Sequence, residues 1–296
     1  MEKEKRRRII ANDHMKGIIC IMLAALGFAF MTFFVRISGD LPTMQKAFFR
    51  NLVAVFVALF VLLGTEEKFH IKKESYGDIF FRCLFGTSGV IANFYAIDRL
   101  DIADANMLNK LSPFFAIIMS IPILKEVPRK MDVICTIIAF IGAAFIIRPG
   151  DSLYSVPALI GLYGGFGAGM AYVFVRRLGK KGERTPVIVF CFSAFSCLVL
   201  LPFLLLDFQP MTTCQFLCLI MAGVSATLGQ FGITSAYKFA PAKEISVFDY
   251  MQVVFAAFIG MFFLDEFPAP ASILGYVIII GVAVFRWYFN LKTARD

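Results

Sequence analysis

Two polar faces lie inside long apolar stretches of the sequence, and their side chains could bind a small polar solute. Lys110 shares a helical face with Asn106, while Ser246, Asp249 and Tyr250 form a similar face in the second half of the chain. An ionised side chain within an apolar helix is costly unless it faces a cavity or a partner. The ammonium group would attract a carboxylate, and the Asp249 carboxylate would bind an amine or accept a coupling proton.

Other polar side chains within apolar stretches extend this candidate set. Arg50 could attract an anionic group or extend its guanidinium to the membrane interface. Further residues that could line a cavity, or equally hydrogen-bond between helices, are Asn93, Asn109, Tyr250, Gln230 and Gln252. For Lys110 and Asp249 the structural alternatives are snorkelling and interhelical hydrogen bonding, respectively.

The positions of Lys110 and Asp249 along their stretches predict how far apart they lie. Each is about four residues from the centre of its stretch, on opposite sides of the membrane midplane, which leaves roughly 12 Å between them along the membrane normal. We therefore expect a ligand or water to bridge the two groups, in place of a direct ion pair. Pro113 should interrupt the helix that carries Lys110 and free backbone carbonyls there.

Ten apolar stretches carry these residues. The chain has 296 residues, of which 59% are hydrophobic and 17% charged. A soluble domain carries roughly 25% charged residues, so the composition predicts an all-α integral membrane protein. The predicted spans, each about long enough to cross a bilayer, are residues 15–36, 45–63, 77–97, 103–124, 131–147, 156–176, 186–206, 212–237, 244–264 and 270–289.

Several function classes are excluded by composition and motifs. The net charge of +8 is distributed over short segments between apolar stretches, which does not predict nucleic-acid binding. The seven cysteines form no Cys-x-x-Cys pair, and neither of the two histidines lies in an apolar stretch, so we expect no metal site and no catalytic site. A glycine run at 161–169 follows no strand and predicts close helix packing; no cofactor is expected.

The sequence repeats itself at an offset of 140 residues. Phe34-Val35-Arg36 recurs as Phe174-Val175-Arg176, and Leu124-x-Glu126-x-Pro128 recurs as Leu264-x-Glu266-x-Pro268. The repeat divides the chain into a first five-helix unit at 15–147 and a second at 155–289, flanked by a basic segment at 1–14 and a tail at 290–296. Five spans per unit is an odd number, so the units must be inverted, an arrangement typical of secondary transporters.

The distribution of Lys and Arg predicts the orientation. Most basic residues precede span 1, follow span 10, or lie between the even-numbered spans and the odd-numbered spans that follow them. The positive-inside rule then places both termini in the cytoplasm, in a multi-pass protein of the cytoplasmic membrane.

Motifs in both halves resemble those of a known family. The first half contains Asn93-Phe94-Tyr95-Ala96 and Ser112-Pro113-Phe114-Phe115-Ala116; the second contains Ala226-Thr227-Leu228-Gly229-Gln230 and Phe248-Asp249-Tyr250-Met251-Gln252. Together they resemble the EamA-like family of the drug/metabolite transporter superfamily, from Met15 to Phe289. The resemblance implies a ten-helix carrier with cytoplasmic termini and with helices 3, 4, 8 and 9 near the central cavity.

These features predict a secondary active transporter that works by alternating access and is not an enzyme. The resemblance implies a small polar or amphipathic substrate, such as an amino acid, an S-adenosylmethionine-like or riboflavin-like metabolite, or a drug. The expected partners are this substrate, the lipid bilayer, and either a coupling proton or an exchanged metabolite. A flippase for a lipid intermediate is the main alternative, followed by a membrane-embedded enzyme.

Overall fold

The computed structural model describes residues 2–97, 99, 106, 108–147, 155–264 and 270–295, and no β-strand occurs among them. The ten predicted spans correspond to ten helices, of which the ninth has two parts. The helices are α1 Glu2–Ile37, α2 Thr43–Leu63, α3 Tyr76–Ile97, α4 Ser112–Leu124, α5 Lys130–Ile147, α6 Val156–Lys180, α7 Thr185–Leu206, α8 Thr213–Phe239, α9a Ala242–Asp249, α9b Met251–Phe263 and α10 Pro270–Arg295.

The lengths of the helices match a membrane protein, which confirms the predicted fold class. Eight helical segments in the described residues are long and apolar enough to cross a bilayer, and α4 is a shorter apolar helix. Many large apolar side chains face outward along these helices, as lipid-facing residues do. The repeat motif at Glu266 and Pro268, and the predicted boundary between the units near 148–154, lie outside the described residues.

Local sequence signals set the ends of several helices. Thr212 and Gln215 form a capping box at the start of α8, and the Ser155 side chain accepts a hydrogen bond from the backbone of Ala158 at the start of α6. After α6 the chain turns at Gly182, where a φ of 78° favours glycine. These turns are short, so consecutive helices run back across the bundle.

The helix contacts follow a two-fold relation between the halves. Helix α1 packs on α8, and α3 packs on α6; a shift by five helices converts one pair into the other. Helices α2 and α7 pack on each other, as do α5 and α10, and each of these pairs joins a helix to its own repeat counterpart. The two halves are therefore interleaved as inverted repeats, as the odd number of spans per half predicts.

Close approaches between the halves occur at glycines related by the repeat. A Cβ atom added to Gly27 would lie 2.8 Å from the backbone nitrogen of Gly229, and one added to Gly167 would lie 2.9 Å from the Cα of Gly89. Gly27 and Gly167 are 140 residues apart, as are Gly89 and Gly229. The glycine run of α6 thus serves close helix packing, as its position in a span predicted.

The fold differs from the prediction at the ninth span, which is not one continuous helix. The helix breaks at Tyr250, between α9a and α9b, although neither part contains a proline. Sequence rules place helix breaks at proline or glycine, so they contained no signal for this one.

Replacing Gly167 with Ala should destabilise the fold. The added methyl would lie 2.8 Å from the carbonyl oxygen of Phe85 and 2.9 Å from the Cα of Gly89, and these backbone atoms cannot rotate away. Overpacking of this kind costs roughly 1–3 kcal/mol. We expect a lower unfolding midpoint for the detergent-solubilised protein in a thermal melt.

Gly281→Ala is the matched control, because no atom lies within 4 Å of the position that its Cβ would take. Both substitutions gain helix propensity, so a difference between them reports packing alone. Equal melting curves for the two variants would contradict the proposed role of the glycine crossing.

Candidate functional site

Two interrupted helices meet inside the bundle at positions related by the repeat. The first interruption is a turn at Lys110 and Leu111, immediately before α4, and the second is at Tyr250. Lys110 and Tyr250 are 140 residues apart, so they occupy equivalent positions in the two halves. Pro113 explains the first interruption, because its ring removes a backbone N–H and clashes with the preceding turn. Position 253, its counterpart, is valine.

Each interruption frees a backbone carbonyl, and a side chain of the opposite half satisfies it. The Phe114 N–H donates to the carbonyl of Leu111 and not to that of Lys110. The free Lys110 carbonyl accepts a hydrogen bond from the Tyr250 hydroxyl at 3.0 Å. The Val253 N–H likewise donates to Tyr250, and the freed Asp249 carbonyl lies 3.4 Å from the Lys110 Nζ. Irregular backbone inside a membrane protein requires such partners, because lipid supplies none.

The ammonium group of Lys110 is surrounded by oxygen atoms from the second half. Its Nζ lies 2.8 Å from the Gln252 Oε1 and 3.4 Å from the Asp249 Oδ2. Lys110 and Asp249 are both buried, at 8% and 5% exposure. These four residues, Lys110, Asp249, Tyr250 and Gln252, are called the crossing site below. All four were candidates from the sequence.

The direct contact between Lys110 and Asp249 corrects the predicted separation of roughly 12 Å with a bridging ligand. That value compared backbone positions along two straight, upright helices. A lysine side chain extends its charge well away from its Cα, and spanning helices tilt and bend. The interruptions also change the path of both helices at these two residues.

Arg82 is a buried cation that the sequence analysis did not select. It lies in the second turn of α3 at 3% exposure, its Nη2 is 3.4 Å from the Gln230 Oε1, and its Cζ lies 4.0 Å from the ring centre of Phe192. The signal for it was present, since Arg82 is a charged residue within the predicted span 77–97. The rule that selected Lys110 and Arg50 selects Arg82 as well.

Arg50 lies in α2 and is buried, at 9% exposure. Its Nη1 is 3.8 Å from the Met31 Sδ, and its Cζ lies 6.0 Å from the ring centre of Phe94. Phe94 lies on α3, the helix that also carries Arg82, so the two buried arginines lie next to the same helix.

The remaining candidates are less closely involved. Asn93 is half-buried, and its Oδ1 has no hydrogen-bond partner among the described residues. Asn106 is exposed and Asn109 is half-buried. The structure thus brings Gln230, Gln252 and Asp249 into contact with cations of the first half and Tyr250 into contact with the Lys110 carbonyl.

One end of the bundle is closed by ion pairs between the two halves. This end, the basic face, consists of the segments 64–75, 125–129, 180–185 and 238–243. The Glu126 carboxylate forms ion pairs with Lys180 at 2.7 Å and with Arg176 at 3.2 Å. The Asp78 carboxylate forms an ion pair with Lys181 at 2.6 Å. Each contact joins a carboxylate of the first half to a cation of the second.

At the opposite end a side-chain to backbone contact joins the halves, beside a cavity of about 580 Å³. The Gln45 side chain donates to the carbonyl of Gln209 at 2.9 Å and accepts from its N–H at 3.0 Å. The cavity is lined by residues 40–44, Lys46 and Gln209 at the ends of α2 and α7, so it lies apart from the crossing site. The buried residues Lys110, Asp249, Arg50 and Arg82 do not line this cavity.

No group of three or more His, Cys, Asp or Glu side chains in the described ranges could hold a metal ion. The buried Asp132 pairs with Arg286 where α5 begins and α10 ends, so that carboxylate already has a partner. Within the described residues the cluster offers ammonium, guanidinium, amide, phenol and carboxylate groups. Groups of these kinds can bind and orient a polar solute.

Known proteins resemble this chain in sequence and in fold. The EamA-like transporter family matches residues 15–148 and 156–287. The pseudopaline exporter CntI of Pseudomonas aeruginosa is 32% identical over 272 residues, covering 90% of this chain and 94% of CntI. The riboflavin transporter of Vibrio cholerae is 24% identical and covers 97% of both chains. A crystal structure at 14% identity superposes with a TM-score of 0.77 over 94% of this chain and 98% of its own, which shows the shared fold.

Replacing Tyr250 with Phe should destabilise the crossing site. The substitution keeps the ring of this fully buried residue and removes the hydroxyl that donates to the Lys110 carbonyl. A buried carbonyl left without a donor costs about 1–3 kcal/mol. We expect a lower unfolding midpoint in a thermal melt of the purified protein, whereas the matched control Tyr288→Phe, at an exposed position, should melt like the wild type. An unchanged midpoint for Tyr250→Phe would contradict this reciprocal arrangement.

Proposed function

The chain belongs to the EamA-like transporter family, and on this premise we propose that it is a secondary carrier that moves a small polar or amphipathic metabolite by alternating access. The observation that carries the proposal is the crossing site. Two interrupted helices, one from each inverted repeat, meet there around a buried Lys110–Asp249 pair. Discontinuous helices at a repeat interface are typical of substrate sites in secondary transporters.

The chemistry of the pair suits reversible binding. A buried ion pair gains little net stability, because desolvation of both charges offsets their attraction. A solute with a carboxylate and an amine can therefore take over both partners, with its carboxylate on Lys110 and its amine on Asp249. A proton on Asp249 would also release Lys110 and would couple transport to a proton gradient.

The ion pairs of the basic face support alternating access. They join the halves through carboxylates that are largely buried and cations that remain partly hydrated, such as Lys180 and Arg177 at 42% and 45% side-chain exposure. Partly hydrated pairs contribute little stability, so they can break and re-form as the halves rock. We propose that these pairs close the substrate path at the basic face in the described state.

The distribution of Lys and Arg supports a proposed orientation of the protein in the cytoplasmic membrane. The basic face contains most of the loop lysines and arginines, and the positive-inside rule places such a face in the cytoplasm. We propose that the protein lies in the cytoplasmic membrane with both termini inside. The name of CntI, an exporter, makes efflux the direction to test first.

Transport by purified protein tests the role of the crossing site. The protein is reconstituted in liposomes, and the flux of labelled zwitterionic amino acids, dicarboxylic amino acids and riboflavin is measured. Lys110→Met removes the ammonium group and leaves Asp249 buried without a cation. We expect flux of the transported solute to fall at least tenfold, while binding measured separately also weakens.

The matched control is Lys16→Ala, which removes a lysine whose side chain is 49% exposed. A Lys110→Met protein that transports every tested solute at the wild-type rate would disprove the assignment. If lipid head groups, and none of the soluble metabolites, stabilise the wild-type protein in thermal melts, a flippase would replace the carrier.

Fusions to the C-terminus test the orientation. A C-terminal fluorescent protein that folds only in the cytoplasm should be bright in bacterial cells, and a C-terminal alkaline phosphatase that folds only outside should be inactive. Charge reversal of the segment 180–185 serves as the comparison, because it weakens the positive bias of a predicted cytoplasmic loop. Phosphatase activity from the wild-type fusion would contradict the proposed orientation.

A further inference from the structure

We infer that Arg50 and Arg82 form a binding site for the carboxylate of an organic anion, next to the crossing site and separate from the Lys110–Asp249 pair. The inference rests on the proposed function, since it takes the interior cluster as the path of the solute. It assigns the class of solute that the path accepts: an anion with an apolar or aromatic part.

Both arginines are buried without a carboxylate partner among the described residues. Arg82 is 3% exposed and Arg50 is 9% exposed. The other deeply buried cations do have partners: Arg286 pairs with Asp132, and Lys110 pairs with Asp249. An unpaired buried charge is strongly unfavourable, so each guanidinium group favours a bound anion as its counter-charge.

Both guanidinium groups have donors left over for such a ligand. The Nη2 of Arg50 and the Nε of Arg82 have no hydrogen-bond partner in the described part of the chain. Their bonded donors have weak partners, since one reaches a thioether sulfur at 3.8 Å and the other an amide oxygen at 3.4 Å. Guanidinium groups bind carboxylates through charge-assisted N–H donors, and each arginine has one such donor without a partner here.

The two arginines approach one region from opposite faces. Arg50 is about 10 Å from the start of α2, and Arg82 is about 9 Å from the start of α3, which begins at the basic face. Arg50 lies beside Phe94 of α3, the helix that also carries Arg82. Two positive charges therefore add in the middle of the bundle, where they can hold an anion during either half of the cycle.

The surroundings of the arginines favour an organic anion over an inorganic one. Phe94 lies beside Arg50 and Phe192 beside Arg82, with ring centres 6.0 Å and 4.0 Å from the respective Cζ atoms. Tyr172 stacks on Tyr237 with 4.6 Å between the ring centres. Aromatic walls bind apolar groups and stack on flat ones, whereas a small hydrated ion gains nothing from them.

Thermal melts of the purified full-length protein test this site without any transport assay. The probes are glutarate, its neutral analogue glutaramide, and inorganic phosphate, all at constant ionic strength. Glutarate should raise the unfolding midpoint of the wild type by several degrees at millimolar concentration, because a ligand that binds only the folded state stabilises it. Glutaramide should have no effect, and phosphate a smaller one.

In Arg50→Gln and in Arg82→Gln, the glutarate concentration needed for the same shift of the unfolding midpoint should rise at least tenfold. Both variants should fold, since each loses an unpaired buried charge, and a midpoint without ligand at or above that of the wild type checks this. Arg99→Gln is the matched control, because Arg99 is exposed and stacks on Tyr95 at 3.9 Å.

Three outcomes would overturn the inference. They are no midpoint shift of the wild type with glutarate, a glutarate shift in both arginine variants equal to that of the wild type, or a shift with phosphate alone. The proposed function fails by a different result, namely wild-type flux through Lys110→Met in liposomes. Loss of glutarate stabilisation in both arginine variants, with retention in Arg99→Gln, supports the site.

Discussion

The rest of the structure depends on the close approach of backbones at two glycine pairs, Gly27 with Gly229 and Gly89 with Gly167. Without side chains at these four positions, α1 can lie directly on α8, and α3 on α6. In lipid no hydrophobic effect drives helices together, so van der Waals contact and hydrogen bonds must hold them. The inverted repeat supplies this contact twice, once on each side of the two-fold relation, and thereby joins the halves.

Between these crossings the protein tolerates irregular backbone and buried charge. The carbonyls that the interruptions release at Lys110 and Asp249 are occupied by side chains of the opposite half. Neither half could satisfy its own interruption, so the site exists only where the halves meet. The ion pairs at the basic face also join the halves, with carboxylates from the first and cations from the second. Contacts that join the halves are the contacts that a rocking motion must change.

The sequence predicted the number of helices, their approximate ends and the repeat, because these depend on hydropathy and on spacing along the chain. It also selected Lys110, Asp249, Tyr250 and Gln252, since polar residues within a span are rare and seldom without a role. It overlooked Arg82, although the same rule applied to it. The prediction of a separated Lys110 and Asp249 was wrong, because positions along straight helices do not account for the reach of a lysine or the path of an interrupted helix.

Sequence by itself determined that this chain is a ten-helix membrane protein with two inverted halves, because the energy of apolar groups in lipid depends on composition over about 20 residues at a time. Only the tertiary structure decided which buried charges have partners. Lys110 and Asp249 pair with each other across the repeat interface, and Arg50 and Arg82 have no carboxylate partner among the described residues. That difference depends on distances between atoms more than 100 residues apart in the chain, and no local pattern in the sequence contains it.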